Sequence, residues 1–520
     1  MNNTTQANIL LKPPLTLGAP PAVSAAPQDD SAQSAAEPGK IAFGFLWLFT
    51  FVLFARPEDI FPAVGLLHLT LVFGACAGIA YIAAVATGRL RFVGSRELTI
   101  VLLLTAWFVL GIPFSTYRTG SLEIVSTWWL KTAFAFFLLT QLLTTTERIR
   151  KLIWAVVLSQ LVATGASIVL QGAGGDTQVG DRLAGINQTI FGWNFLGIAA
   201  SVTLPYLAAL YITRRSLFRT AAILATITFS MWLLILTASR GGFLGVIFSI
   251  LFTWWMVLRG SPRGRLVGVV VALCLAVSVA KAPDVFWSRL HTIWGGPDTT
   301  VNANSESAIE STKDRQFVLI QSLKYTMEFP IFGIGVGNFP DYNGHLFHRP
   351  EAYVGTHNTY TQLSSEAGIP ALLLFLGLML TMYIHSRKVR LRYADQPENA
   401  ETHLLACSTI VALFSFGIGA CFAHIAYGYL FYYLAGISAA LWTLYSRSEE
   451  ASPALTEAAA PPAFTARVAK TTVKQQAVKE ADAPNPKPQS VQARLRALVA
   501  QRTEPMPETP NKPSSQRTRS

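Results

Sequence analysis

The chain has 520 residues, 51% of them apolar and only 13% charged, with a formal net charge of +12. That balance excludes a string of soluble domains and describes a polytopic membrane protein. In such a chain a basic excess belongs to the loops and tails of one membrane face, and it speaks against a nucleic-acid partner. The four cysteines, Cys76, Cys274, Cys407 and Cys421, each lie in an apolar run without metal-ligand spacing, so they read as small buried hydrophobes.

In chain order, residues 1–40 are rich in Ala, Pro, Ser and Gln. No basic segment leads directly into an apolar run, so a flexible tail is expected instead of a cleaved signal. The first apolar run, from Ile41, then serves as an uncleaved signal anchor. Residues 41–446 form the expected membrane body. At ~20 residues per crossing it holds about twelve spans, an all-α architecture. They cover 41–54, 60–87, 98–115, 122–143, 152–170, 190–212, 220–238, 242–258, 266–280, 369–384, 403–424 and 427–445.

Alternate connections are rich in Lys and Arg, as in G-R-L-R-F-V-G-S-R-E, T-T-E-R-I-R-K and H-S-R-K-V-R-L-R. The others hold about one arginine each: Arg56, Arg118, Arg182 and Arg240. The positive-inside rule makes the rich set cytoplasmic. Both termini are then expected inside, and the long polar connection 281–368 outside, in the periplasm of a Gram-negative envelope. The tail 447–520 is rich in Pro, Ala, Lys and Arg and is expected to be disordered and to touch anionic lipid. Its segment 491–499 has helical spacing, which chance also explains. Lys131 lies within a span, in W-W-L-K-T-A. Lipid-diphosphate binding, pairing with a buried polar group and snorkelling all fit it.

The long connection opens with the aromatics Phe286, Trp287 and Trp294, which suit a membrane interface. Residues 307–328 predict an amphipathic helix with Ser305 or Ser307 as cap and a Ser307/Glu310 capping box. Ile309, Leu319, Leu323 and Met327 share one face, with Arg315 at its edge; Pro330 ends it. Gly333, Gly335 and Gly337 allow a tight turn, without the context of a dinucleotide fingerprint. Thr356 is expected to cap a second helix, with His357, Tyr360, Thr361 and Ser364 as one polar face. A packed or capping histidine is the competing reading of His357. His345, His348 and Glu351 are close in sequence, but metal spacing is otherwise missing.

The run H-N-T-Y-x-x-L-x-x-E-x-G, following P-I-F-G-I-G-V-G-N-F, resembles the O-antigen ligase and polymerase family. So does S-R-G-G at the end of a mid-chain span. The resemblance covers roughly 152–445. It implies a GT-C-like integral membrane glycosyltransferase that takes a glycan from undecaprenyl diphosphate at the periplasmic face of the inner membrane, with neither metal nor cofactor. Acceptors in the family are lipid A-core oligosaccharide, another repeat unit, or protein Ser or Thr. The matching positions are His357, Arg240 and Arg315, with Arg182 a weaker match. Arginines suit diphosphate oxygens, and a neutral histidine can accept a hydroxyl proton. These three side chains are therefore expected to converge on one cavity, with Arg182 and Lys131 as further donor-binding candidates. A secondary transporter is the alternative from another class, but no inverted repeat or matched pair of broken spans is present.

Overall fold

A computed structural model describes residues 38–172, 178–179, 182–183, 193–213, 216–237, 239–260, 262–282, 287, 303–348 and 352–458. Of the tails expected at 1–40 and 447–520, residues 1–37 and 459–520 lie outside the described residues, as do the 491–499 segment, Phe286, Trp294 and Glu351; residues 447–458, expected to be disordered, continue a helix instead. By internal contacts the chain divides into 1–448 and 449–520; of the second unit, residues 449–458 are described, as helix.

The body is helical. Before the long connection come α1 (Lys40–Ala55), α2 (Leu69–Ala86), α3 (Arg96–Gly111), α4 (Arg118–Leu142), α5 (Thr146–Gly172), α6 (Trp193–Thr213), α7 (Leu217–Thr237), α8 (Arg240–Thr253) and α9 (Pro262–Ala280). The connection itself carries α10 (Ala303–Glu328), α11 (Phe339–Phe347) and α12 (Thr359–Glu366). After it come α13 (Gly368–Arg392), α14 (Ala400–Gly419) and α15 (Tyr429–Ala458). Besides turns and connections, the described residues hold a two-residue antiparallel strand pair, with Val179 opposite Arg182.

Among the described residues ten helices are long and apolar enough to cross a membrane, against about twelve expected. The shortfall falls on α9, whose apolar part Gly264–Ala280 is shorter than the rest, and on α15. The composition of α15 has a packing reason. It is the hub of the bundle: Phe431, Tyr432, Leu434, Ala435 and Leu441 are buried. Phe431 packs on Phe375 at 4.5 Å and Tyr432 on Trp129 at 5.0 Å. A helix surrounded by protein need not match lipid, so tyrosines are tolerated where their hydroxyls find partners. Tyr433 shares a hydrogen bond with Thr50 at 3.0 Å.

The basic connections gather at one end of the bundle. Arg150 donates to both carboxylate oxygens of Glu401, at 2.7 and 2.8 Å, and Arg148 donates to the carbonyl of Pro38 at 2.8 Å. Glu97 and His385 meet at 2.7 Å inside the bundle, where His385 stacks on Trp442. The long connection caps the other end, called the loop end below. The cysteines depart from expectation. Cys407 is buried, but Cys76 and Cys274 are half-buried and Cys421 is exposed at the loop end.

Candidate functional site

The glycine run between α10 and α11 is built from backbone constraints. Gly333, Gly335 and Gly337 have φ of 68°, 108° and 76°, a region L side chains avoid. They are also short of space: a Cβ on Gly335 would collide with Ser115 Oγ, and one on Gly333 with the carbonyl of Glu366. The run hangs on the C-terminal end of α12. Ile334 donates to the Ser365 carbonyl at 2.8 Å and Gly335 to that of Glu366 at 2.9 Å. Asn338 secures the other side, donating to Ser115 Oγ at 2.7 Å.

Glu366 is the knot of this arrangement. Its buried carboxylate accepts the Gly337 N–H at 3.0 Å, the Tyr427 hydroxyl at 2.7 Å and, more weakly, the Phe339 N–H at 3.4 Å. Burial pushes its pKa up to about 7, against those hydrogen bonds, which favour the charged form. It therefore joins α12, the glycine run and the start of α15.

The helix carrying the H-N-T-Y run begins later than expected. Asn358 is its cap, accepting the N–H groups of Tyr360 and Thr361 at 2.9 and 3.1 Å. Thr356 instead donates to the Asn358 carbonyl at 2.9 Å. Asparagine outcompetes threonine as an N-cap, so His357 lies outside the first turn, with φ of 51°. The expected polar face is not presented to a site. Thr361 and Ser364 are buried, and Ser364 shares a hydrogen bond with Thr326 on α10 at 2.7 Å. Thr359 donates to the Ala423 carbonyl at 2.7 Å, Tyr360 to that of Gly417 at 2.9 Å, and Gln362 accepts the Ala426 N–H at 3.1 Å. Helix α12 is thus stitched to the α14–α15 connection.

On α10 the correction is similar. The helix starts at Ala303, so Ser305 and Ser307 lie inside it and the predicted capping box is not at its end. Leu319, Leu323 and Met327 do share a face, but the outward one. The packed face holds Val318, Ser322, Tyr325 and Thr326, with the half-buried Arg315 on its flank.

These constraints leave two imidazoles in a recess. The rings of His357 and His424 meet edge to face, centroids 5.2 Å apart at 73°. A Cβ on Gly355 would lie 2.6 Å from the His424 ring, so glycine lets the chain pass over it. His424 keeps solvent access while burial lowers its pKa, as expected for the lining of a cleft. Burial first, then His424 and the positive charge of Arg315, push His357 down to about 3. Both rings are therefore neutral near pH 7, and Arg315 lies within electrostatic reach of His357. The capping alternative for His357 does not hold, since Asn358 makes the cap.

Arg240 is the first residue of α8, after Ser239, whose hydroxyl accepts the Gly242 N–H at 3.2 Å. The two glycines of S-R-G-G are required by close packing. A Cβ on Gly241 would lie 2.6 Å from Phe422 Cβ, and one on Gly242 3.0 Å from Gly197 Cα. The Arg240 backbone is thereby held against the segment that carries His424; its side chain lies outside the described residues. Arg182 sits in the short strand pair, and its side chain is likewise outside them. Lys131 goes elsewhere. It is exposed in a cavity of about 540 Å³ between α1, α2 and α4, lined also by Arg56, His68 and Tyr429. Among the described residues it forms no ion pair. His345 sits between Tyr117 and Tyr353, with Nδ1 2.7 Å from the Asp341 carbonyl; His348 ends α11.

Sequence reasoning missed His424 and Tyr427, and gave Glu366 no role. Alternating topology did place 420–428 at the same end as the long connection, which is the available hint. No curated protein sequence matches the chain. The family model described as O-antigen ligase matches residues 222–376, a stretch that holds S-R-G-G, Arg315, the glycine run, His357 and Glu366. Over those residues the chain is similar to the O-antigen ligase family.

Proposed function

We propose that this protein moves a glycan from undecaprenyl diphosphate to lipid A-core oligosaccharide at the periplasmic face of the inner membrane. The acceptor hydroxyl attacks the anomeric carbon, and the bond from that carbon to the diphosphate oxygen breaks. The diphosphate leaves with the electron pair, and the hydroxyl proton passes to His357. One displacement inverts the anomeric centre. Arg315 and Arg240 hold the diphosphate, supplying the fixed positive charge a developing anion needs in a recess of low dielectric. Lys131 and Arg182 contact the donor further from the reacting carbon.

The observation that carries this reading is the His357 imidazole, edge to face with His424 and within electrostatic reach of Arg315. A histidine held near pKa 3 is a weak base. A bound diphosphate would place negative charge next to it and favour the imidazolium, raising its basicity when the donor is present.

The test is complementation of a gene deletion with wild type and His357→Ala, reading lipopolysaccharide banding, free lipid-linked glycan and glycoprotein staining. Wild type is expected to restore capped lipopolysaccharide, and the variant to lose it at equal membrane abundance. Full capping by the variant would remove the general-base role. Single-repeat caps in the deletion would indicate a repeat-unit polymerase, and loss of glycoprotein alone a protein O-oligosaccharyltransferase.

A further inference from the structure

Helix α10 has one face packed, and another face carries an apolar strip that no described residue covers. Leu319, Ile320, Leu323 and Met327 fall within about 100° of the helix circumference. Ile320 is 62% exposed, Leu323 50% and Met327 79%. The exposed Lys313 and Lys324 border the strip on one side, and Lys324 reaches Glu328 at 3.8 Å. A strip of large apolar side chains with a charged border is the pattern of a helix lying in a membrane interface.

Continuity says what covers it. Beyond Glu328 the exposed Phe329 and Ile331 prolong the apolar surface. Phe332 then stacks on Phe114 at 4.5 Å and on Trp107 at 4.9 Å, at the end of membrane helix α3. Ile369, near the start of α13, donates to the Pro330 carbonyl at 2.8 Å. Leu110 and Leu373, on those two helices, are exposed apolar residues of the belt that lipid must cover. The strip on α10 is therefore an extension of the lipid-facing surface.

The geometry points to α10 as an interfacial helix, seated with Ile320, Leu323 and Met327 in the headgroup–acyl boundary of the leaflet at the loop end. Lys313 and Lys324 reach the phospholipid phosphates. Arg315 lies about 140° around the helix from Ile320. Seating the strip in lipid thus fixes the rotation that keeps Arg315 on the flank facing His357. The bilayer then serves as one wall of the construction that holds the site.

The test uses the full chain in phospholipid nanodiscs. Ile320→Cys, Leu323→Cys, Met327→Cys, Lys313→Cys and Lys324→Cys are spin-labelled singly in a background with the four native cysteines replaced by alanine. Collision with oxygen is expected to exceed collision with a water-soluble nickel chelate at 320, 323 and 327, and the ratio to fall at 313 and 324. Equal chelate access at all five would overturn the proposal. So would dipolar broadening at 320 and 327, which would assign the strip to a second copy of the chain. Wild-type protein gives an independent check that needs no substitution. In nanodiscs Met327 is expected to resist hydroxyl-radical conversion to the sulfoxide, and oxidation at the rate of a solvent-exposed methionine would refute the seating. Neither experiment reads glycan transfer, so its outcome is separate from that of the proposed reaction.

Discussion

Glu366 offers the sharpest test of how the loop end is held together. Glu366→Ala removes the acceptor for the Gly337 N–H and the Tyr427 hydroxyl, bonded at 3.0 and 2.7 Å. Each buried donor left without a partner costs about 1–3 kcal/mol, so the loss should be about 2–6 kcal/mol. Glu366→Gln keeps one carboxamide oxygen as acceptor and should cost about 1 kcal/mol, the net value of the bond it gives up. Thermal melting in nanodiscs reads the difference, and hydrogen exchange at 333–339 localises it. The pH dependence has a definite sign. The folded carboxyl is raised to about 7 from an ordinary value near 4.5. Its contribution is therefore fully present below that ordinary value and is lost as pH rises through about 7. Wild type should lose melting temperature relative to Glu366→Gln between pH 5 and 8. Parallel pH curves for the two, or an alanine variant as stable as the glutamine one, would refute the role given to this carboxylate.

Other outcomes follow from the same geometry. His424→Ala removes a neighbour that lowers the His357 pKa, so the acid limb of the transfer rate should move to higher pH; an unmoved limb would separate the two rings electrostatically. With saturating donor, that limb should also lie at higher pH for kcat than for kcat/KM, because the bound diphosphate favours the protonated ring. Gly335→Ala forces a Cβ into Ser115 Oγ at φ of 108°, and melting should fall by several degrees, with little change for Gly377→Ala, which has open space. Gly241→Val should displace Phe422 and reduce transfer by about tenfold or more, on the scale of a 1 Å misplacement, measured at equal membrane abundance.

Much of the helical layout was legible because hydrocarbon imposes long apolar runs whatever the fold. Membership of a face was legible as well, since Leu319, Leu323 and Met327 do lie together. Which face packs was not. A soluble helix has one apolar environment to seek, whereas a helix beside a membrane has two, protein and lipid, and periodicity cannot tell them apart. The start of α12 was missed by two residues because Thr356 and Asn358 are both capping types, and tertiary contacts of Thr359 with Ala420 and Ala423 fixed the register. His424 was unreadable for a simpler reason: it meets His357 across 67 residues of sequence, and nothing local marks it.

The H-N-T-Y-x-x-L-x-x-E-x-G motif divides its labour. Asn358 caps, Thr359, Tyr360 and Gln362 bind the α14–α15 connection, Leu363 is buried, and Glu366 holds the glycine run. Each of these is consumed by structure. His357 differs: among the described residues no hydrogen bond engages its ring, and its backbone takes a left-handed φ that glycine and asparagine adopt at least cost. The surrounding contacts enforce that conformation, because Thr356 and Asn358 are both fixed on either side of it. A chain that needed only to start a helix here would gain by placing Gly or Asn at 357. An imidazole in that position makes sense where its ring must project into the recess beside His424 and within reach of Arg315. His357→Gly separates the two ideas: it should leave melting unchanged or raise it slightly while abolishing transfer. A variant that kept transfer would return His357 to the scaffold.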